Sequence, residues 1–403
     1  MSNKINRLVM LNQMAGPLFR ELAEDLAPLY EEGCVLITGH PDTLAKKIKT
    51  SKLTIKAAPA YNRSSRILRL KSWLHYILFV SKTILLAKKS DCILLVSNPP
   101  ILGFWVWFLT RLNRIPYAVL VYDIHPDVLI RLGVLKEHSL LVKSWQAINR
   151  LVYRNSELVV TIGERMAKAL NSNFPSDVPD VVTVSPWVDI NKIKPMPIKE
   201  NPFARNFIGN IDGFIVLYSG NMGASHDIDS MLGAALILRD NNDINFIFIG
   251  EGDKYKDIER FIHHHKLTNV ALFTFQPENM IKYTLPLADI SLVSLDQGME
   301  DLMIPSKSFY YLAAGSALIA IANDESELSD LIDSSRCGAL VPPGNPNILA
   351  ETIENLTSNS RHLSIMKTNA REIAENRYSR EICTSKFSKF LRQSKLLQDE
   401  SKN

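Results

Sequence analysis

The residues best placed to do chemistry stand at the ends of short apolar runs. LNQMAGPLFRELAEDLAP puts Gly16 between such a run and a helix-like segment, where free backbone N–H groups attract anions; an ordinary turn glycine is the other reading. VYDIHPDV sets Asp123, His125 and Asp127 after another run. An imidazole there can hydrogen-bond a substrate hydroxyl or take its proton, although a loop histidine also serves structure. YSGNMGASHDID carries Gly220, Asn221, Gly223 and His226, with His226 opening the next helix, and FIGEGDKY carries Gly250, Glu251 and Gly252. Glycine lets backbone approach phosphate oxygens closely, and a following helix N-terminus favours negative charge. Two such loops at equivalent points of one domain point to a nucleotide diphosphate. Ser306 and Lys307 sit at a helix start in MIPSKSFYYLAAG, where the ammonium would offset diphosphate charge. Glu325 and Glu327 in NDESELSDLI could bind ribose or sugar hydroxyls, or only complement a helix dipole.

Metal chemistry finds no support in these patterns. His263, His264 and His265 are consecutive and point to different sides of a helix. Asp227 and Asp229 fall at a helix N-terminus, where acids are common caps. Cys34, Cys92, Cys337 and Cys383 show no CxxC spacing and read as buried reduced thiols of a cytoplasmic protein. The N-terminal MSNKINRLVMLNQM lacks the apolar stretch of a signal peptide.

These residues are positioned by a repeated alternation of β-branched runs and amphipathic segments, which predicts parallel sheets covered by helices. Strands are expected near 6–11, 34–38, 92–97, 117–122 and 158–162, with helices over 17–31, 67–87, 100–113 and 139–154. After the prolines Pro186, Pro195, Pro197 and Pro202, strands recur near 214–219, 245–249, 270–274, 289–293 and 317–321. Helices between and after them are expected over 226–240, 253–265, 278–286, 305–314, 325–334 and 346–357. The fold class is therefore α/β, with two Rossmann-like doubly wound domains facing a central cleft. The expected boundaries are 1–190, a linker at 191–203, a second domain at 204–375, and a helix with a frayed charged tail at 376–403.

Charge divides the chain unevenly. Residues 1–200 hold 27 Lys and Arg against 16 Asp and Glu, and residues 201–403 hold 19 against 26, so only the first half would seek an anionic partner. Its segment 44–90 contains twelve basic residues and no acidic one. Within it ILRLKSWLHYILFVSKTILLA, at 67–87, mixes Arg69, Lys71 and Lys82 with Trp73, Tyr76 and Phe79. That mixture suits a helix lying in an anionic bilayer interface better than one crossing it; a core helix with a solvated basic face is the alternative. No nucleic-acid module accompanies the basic patch.

Taken together, SNPPILGFW, VYDIHPD, LYSGNMG, FIGEGDKY, IPSKSFYYLAAGSALIAI and CGALVPPGNP resemble the GT-B, family 4 glycosyltransferases of bacterial capsule, exopolysaccharide and O-antigen synthesis. The resemblance implies a retaining, metal-free transfer from a nucleotide-sugar donor, bound by the second domain, to a polyprenyl-diphosphate-linked or glycan acceptor, bound by the first. It implies a peripheral place on the inner face of the plasma membrane and no resident cofactor. Gly16 then resembles the family's N-terminal loop glycine, and His125 its active-site histidine, with Asp123 beside it. Gly220 matches the glycine of the phosphate-binding segment, but the family's Arg and Lys fall on Asn221 and His226. Its E-x7-E glutamates fall on Leu302 and Tyr310, leaving Lys307, Glu300, Asp301 and Glu327 as the nearest replacements. A GT-B nucleotide-sugar epimerase and a non-catalytic degenerate partner are the alternatives these departures leave open.

Overall fold

In the computed structural model the described residues are 5–62, 64–174, 178–209, 213–223, 226–295, 298, 302 and 304–397. The chain forms two units, one reaching to Ser185 and completed by the segment from Cys383 onward, the other spanning Pro186–Ile382.

The first unit is built on a parallel sheet of β1 (Arg7–Leu11), β2 (Cys34–Thr38), β3 (Leu53–Ala57), β4 (Asp91–Val96), β5 (Tyr117–Val121), β6 (Leu158–Thr161) and β7 (Val181–Thr183), in the order β3-β2-β1-β4-β5-β6-β7. The sheet of the second unit comprises β8 (Phe214–Ser219), β9 (Ile244–Ile249), β10 (Val270–Phe273), β11 (Ile290–Ser294), β12 (Ala317–Ile321) and β13 (Gly338–Val341), in the order β10-β9-β8-β11-β12-β13. Every residue of β4, β5, β11 and β12 is buried. Strands covered on both faces lose the polar alternation of a half-exposed sheet, which is why β5 (YAVLV) and β12 (ALIAI) read as unbroken apolar runs. In both sheets the winding reverses beside the first strand, between β1 and β4 and between β8 and β11. Ligands of doubly wound sheets bind outside the carboxyl ends at such switch points.

The two doubly wound sheets agree with the expected fold class, while several elements differ from expectation. The edge strands β3, β7 and β13 were not expected: β3 carries Thr54 and Lys56 with exposed residues, and β7 and β13 are only three and four residues long. The helices Pro41–Ala45, Asp127–Arg131, Glu164–Asn173 and Ser360–Arg377 were also absent from the expected set. The first helix ends at Leu26 and continues only as a 3-10 turn over Ala27–Leu29, because Pro28 cannot donate to a further helical turn. The segment 191–203 is not a free linker. Ile193 and Phe203 are buried in the core of the second unit, and the Arg371 guanidinium donates to the carbonyls of Ile190, Ile193 and Ala313. Nor do residues 376–403 form a separate tail: helix Arg380–Gln393 runs through the boundary. Leu396 and Leu397 beyond it are buried in the first unit, with the Tyr30 hydroxyl donating to the Leu396 carbonyl at 3.0 Å.

Candidate functional site

In the second unit β8 and β9 deliver their glycine turns to one place. The Gly220 N–H donates to the Ile249 carbonyl, the Gly250 N–H to Phe273, and the Met222 N–H to Glu251, so the two loops are zipped along their backbones. Gly250 has a φ of +156°, and a β-carbon there would lie 1.9 Å from the Gly220 carbonyl oxygen. Only glycine fits. Gly250→Ala is expected to destabilise the unit by about 2–4 kcal/mol; a melting curve checks it.

Lys307 fills the corresponding space at Gly220. A β-carbon on Gly220, itself at φ +144°, would meet the lysine Nζ at 3.1 Å. That ammonium donates to the Tyr218 hydroxyl at 3.0 Å and lies 4.3 Å from the centre of its ring. The Tyr218 hydroxyl in turn donates to the Asn221 carbonyl at 2.6 Å, and Tyr311 exchanges hydrogen bonds with both backbone groups of Ser219. The lysine is thus held over the turn by an aromatic face, an arrangement that orients its ammonium. Beside it a cavity of about 200 Å³ opens at the carboxyl ends of β8 and β9, lined by Gly220, Ser306, Lys307 and Tyr310 together with Phe275, Gln276 and Thr284.

A second ammonium reaches the same loop from an unforeseen residue. Lys254 Nζ donates to the His226 carbonyl at 3.0 Å and to Asp229 Oδ2 at 2.7 Å. Lys307 thus brings a positive charge to the Gly220 turn, whereas the charge of Lys254 is paired with Asp229. Lys254 stands in the quoted FIGEGDKY, but nothing in its spacing shows that its side chain turns back onto the preceding loop. Tyr218, which seats Lys307, was equally hidden, because a strand tyrosine reads as core.

The remaining expected residues divide by place. Gly223 and Glu251 stay on the zipped loops, where a Gly223 β-carbon would lie 2.9 Å from Asn221 Nδ2. His226 precedes its helix rather than opening it. Asp227 caps helix Ile228–Ile237 by accepting from the Ser230 N–H at 3.1 Å, and also accepts from the Gly344 N–H at 2.8 Å. Glu325 is exposed and Glu327 buried at the start of helix Glu327–Ser335; neither lines the cavity. Leu302 is buried. Glu300 and Asp301 lie outside the described residues.

In the first unit, Gly16 caps helix Pro17–Leu26 with a φ of −71°, and a β-carbon there would meet nothing within 4 Å. The local fold does not demand glycine at this position. Buried Arg20, paired with Glu24 and donating to the Thr43 carbonyl at 2.8 Å, fixes the helix that follows.

His125 leaves β5 through Asp123, whose N–H, with that of Tyr122, donates to Ser97 Oγ. Helix Leu140–Arg154 supports it from the side: Asn149 donates to the His125 carbonyl at 2.6 Å, and the Trp145 ring lies 5.9 Å from the imidazole. His125 Nδ1 is buried with no hydrogen-bond partner among the described residues. Burial holds the imidazole below its ordinary pKa, against the opposing pull of Asp123 and Asp127. At neutral pH the ring is therefore uncharged, able to accept one proton or hydrogen bond and to donate another.

Comparison with known proteins finds relatives in sequence and in fold. Residues 203–373 match the family described as glycosyl transferases group 1. The chain is 27% identical over 316 residues to the probable glycosyltransferase WbjE of Pseudomonas aeruginosa, covering 78% of each chain. It is 25% identical over 287 residues to the putative colanic acid biosynthesis glycosyl transferase WcaI of Escherichia coli strain K12, covering 69% of this chain and 68% of the relative. Among solved structures, Anabaena HepE in complex with UDP superposes with a TM-score of 0.71 at 15% identity, covering 96% of this chain and all (100%) of that one.

Proposed function

We propose that this chain, a glycosyltransferase of the group 1 family, moves a sugar with retention from a nucleotide-sugar to a lipid-linked or saccharide acceptor in cell-surface polysaccharide biosynthesis. The observation that carries the reading is the Lys307 ammonium held at the Gly220 turn beside the cavity. A nucleoside diphosphate is the leaving group that such a backbone-and-lysine site would stabilise as the sugar–oxygen bond breaks. The acceptor oxygen attacks from the same face, and its proton passes to the departing diphosphate. The name of WbjE supports the transferase activity, that of WcaI the polysaccharide pathway, and the UDP of the HepE complex the donor class.

The reading has the second unit bind the donor and the first the acceptor, with Gly16, Asp123 and His125 serving the acceptor and the reacting sugar. It includes no metal, since the Asp227 and Asp229 carboxylates are engaged by the Ser230 and Gly344 N–H groups and by Lys254. The protein acts peripherally on the inner face of the plasma membrane, where a polyprenyl-diphosphate acceptor resides.

A melting screen with UDP, GDP, ADP and CMP tests the donor site, because a ligand that binds only the folded state raises the melting temperature. A selective rise is expected, followed by release of free nucleotide from the matching nucleotide-sugar only when acceptor is present. No rise with any nucleotide, or sugar-nucleotide interconversion without acceptor, would overturn the reading.

A further inference from the structure

Helix Arg66–Leu85 is apolar on two opposite faces. Its inner face is buried through Tyr76, Val80 and Ile84. On the outer face Ile67, Leu74, Leu78 and Leu85, spaced seven, four and seven residues apart, form one stripe with exposures from 50% at Leu74 to 80% at Ile67. A helix on the surface of a soluble domain ordinarily turns a polar face outward. Here the polar residues flank the stripe instead: Lys71 lies four residues after Ile67 and Lys82 four after Leu78, both exposed.

The neighbouring helix Leu102–Asn113 repeats the pattern. Trp105 Nε1 donates to Ser81 Oγ at 2.6 Å, which ties the two helices together, and Ile101, Phe108 and Leu112 are exposed at spacings of seven and four. Contiguous exposed apolar surface of this kind marks a contact with something apolar. Its charge identifies what. The helix itself carries exposed Arg66, Arg69, Lys71 and Lys82 and no acidic residue, charges that would repel a second copy of the same face and attract anionic headgroups. Among the described residues no helix is long and apolar enough to cross a membrane.

We propose that the outer face of helix Arg66–Leu85, continued by helix Leu102–Asn113, docks on an anionic lipid bilayer with its leucine stripe inserted among the acyl chains and Lys71 and Lys82 at the headgroups. The inference deepens the peripheral location proposed above by naming the surface and its lipid. It adds an apolar component, so that binding survives salt in part, whereas a purely electrostatic contact would be screened away.

The test is flotation of the full chain with phosphatidylcholine vesicles, with and without phosphatidylglycerol, at low and high salt. Wild type is expected to float with the anionic vesicles, less strongly but measurably at high salt. Leu74→Glu with Leu78→Glu should weaken partitioning about tenfold or more at both salts, with an unchanged melting temperature. Lys71→Gln with Lys82→Gln should weaken it mainly at low salt. A tryptophan in a Leu78→Trp variant should shift to the blue on vesicle addition. Equal flotation of wild type and the glutamate variant, no flotation of wild type, or a lipid-free dimer of wild type that the glutamate variant dissolves would overturn the proposal. No substrate is used, so failure of the sugar-transfer reading would leave these results standing, and their failure would leave that reading intact.

Discussion

Lys307→Met is expected to lower kcat/KM for the nucleotide-sugar by about 10²–10³-fold, the loss typical when one preorganised group facing a developing negative charge is removed. The size follows from how the ammonium is held. It rests on the Tyr218 ring and hydroxyl, in the space that the absent Gly220 side chain leaves, so it need not reorganise as charge develops. Methionine keeps the chain's volume against Tyr218, and the melting temperature should move little. Steady-state kinetics beside a melting curve separate the two effects. Unchanged kcat/KM in a folded Lys307→Met protein would remove Lys307 from the diphosphate site.

The second large effect is expected at His125. His125→Ala should reduce turnover by about 10²–10⁴-fold, the range for loss of a positioned proton-transfer or hydrogen-bonding group, without unfolding the first unit. The ring is partly buried, but its neighbours Trp145 and Asn149 are carried by a helix of their own. The pH dependence supplies an independent sign. Because burial depresses the imidazole pKa, the neutral ring persists at pH 7 and is lost only as the pH falls below the ordinary histidine value of about 6.5. Wild-type activity should hold down to that region and decline below it, and this acid limb should vanish in the residual activity of His125→Ala. A His125→Ala enzyme with near-normal turnover would take His125 out of the reaction.

The sequence disclosed the buried strands and the glycine turns, because both are written in local order. β5 can be read from YAVLV, and the turn at Gly250 from a glycine directly after FIFI. It concealed whatever depends on a side chain crossing between elements. Lys254 bonds back to His226, Tyr218 seats Lys307 from 89 positions away, and Arg371 staples a segment 178 residues earlier. Three edge strands were hidden for a different reason: β3 mixes Thr54 and Lys56 into its run, and β7 and β13 are only three and four residues long. The proline-rich stretch misled in the opposite direction. Proline there stops helix and strand alike, yet Ile193 between its prolines and Phe203 directly after the last supply core to the second unit.

The burial of Leu396 bears on the order in which the protein is made. Chain up to Ser185 leaves the ribosome before any residue of the second unit, but the first unit includes the segment from Cys383 onward. Until that segment emerges, the Tyr30 hydroxyl lacks the carbonyl it bonds in the finished protein, and the surface that Leu396 and Leu397 cover stays open. At elongation rates of about 5–20 residues per second the interval is on the order of ten seconds or longer. The nascent first unit must therefore wait, incomplete, while the later unit is synthesised, and the second unit, contiguous in the chain, can close its own core first.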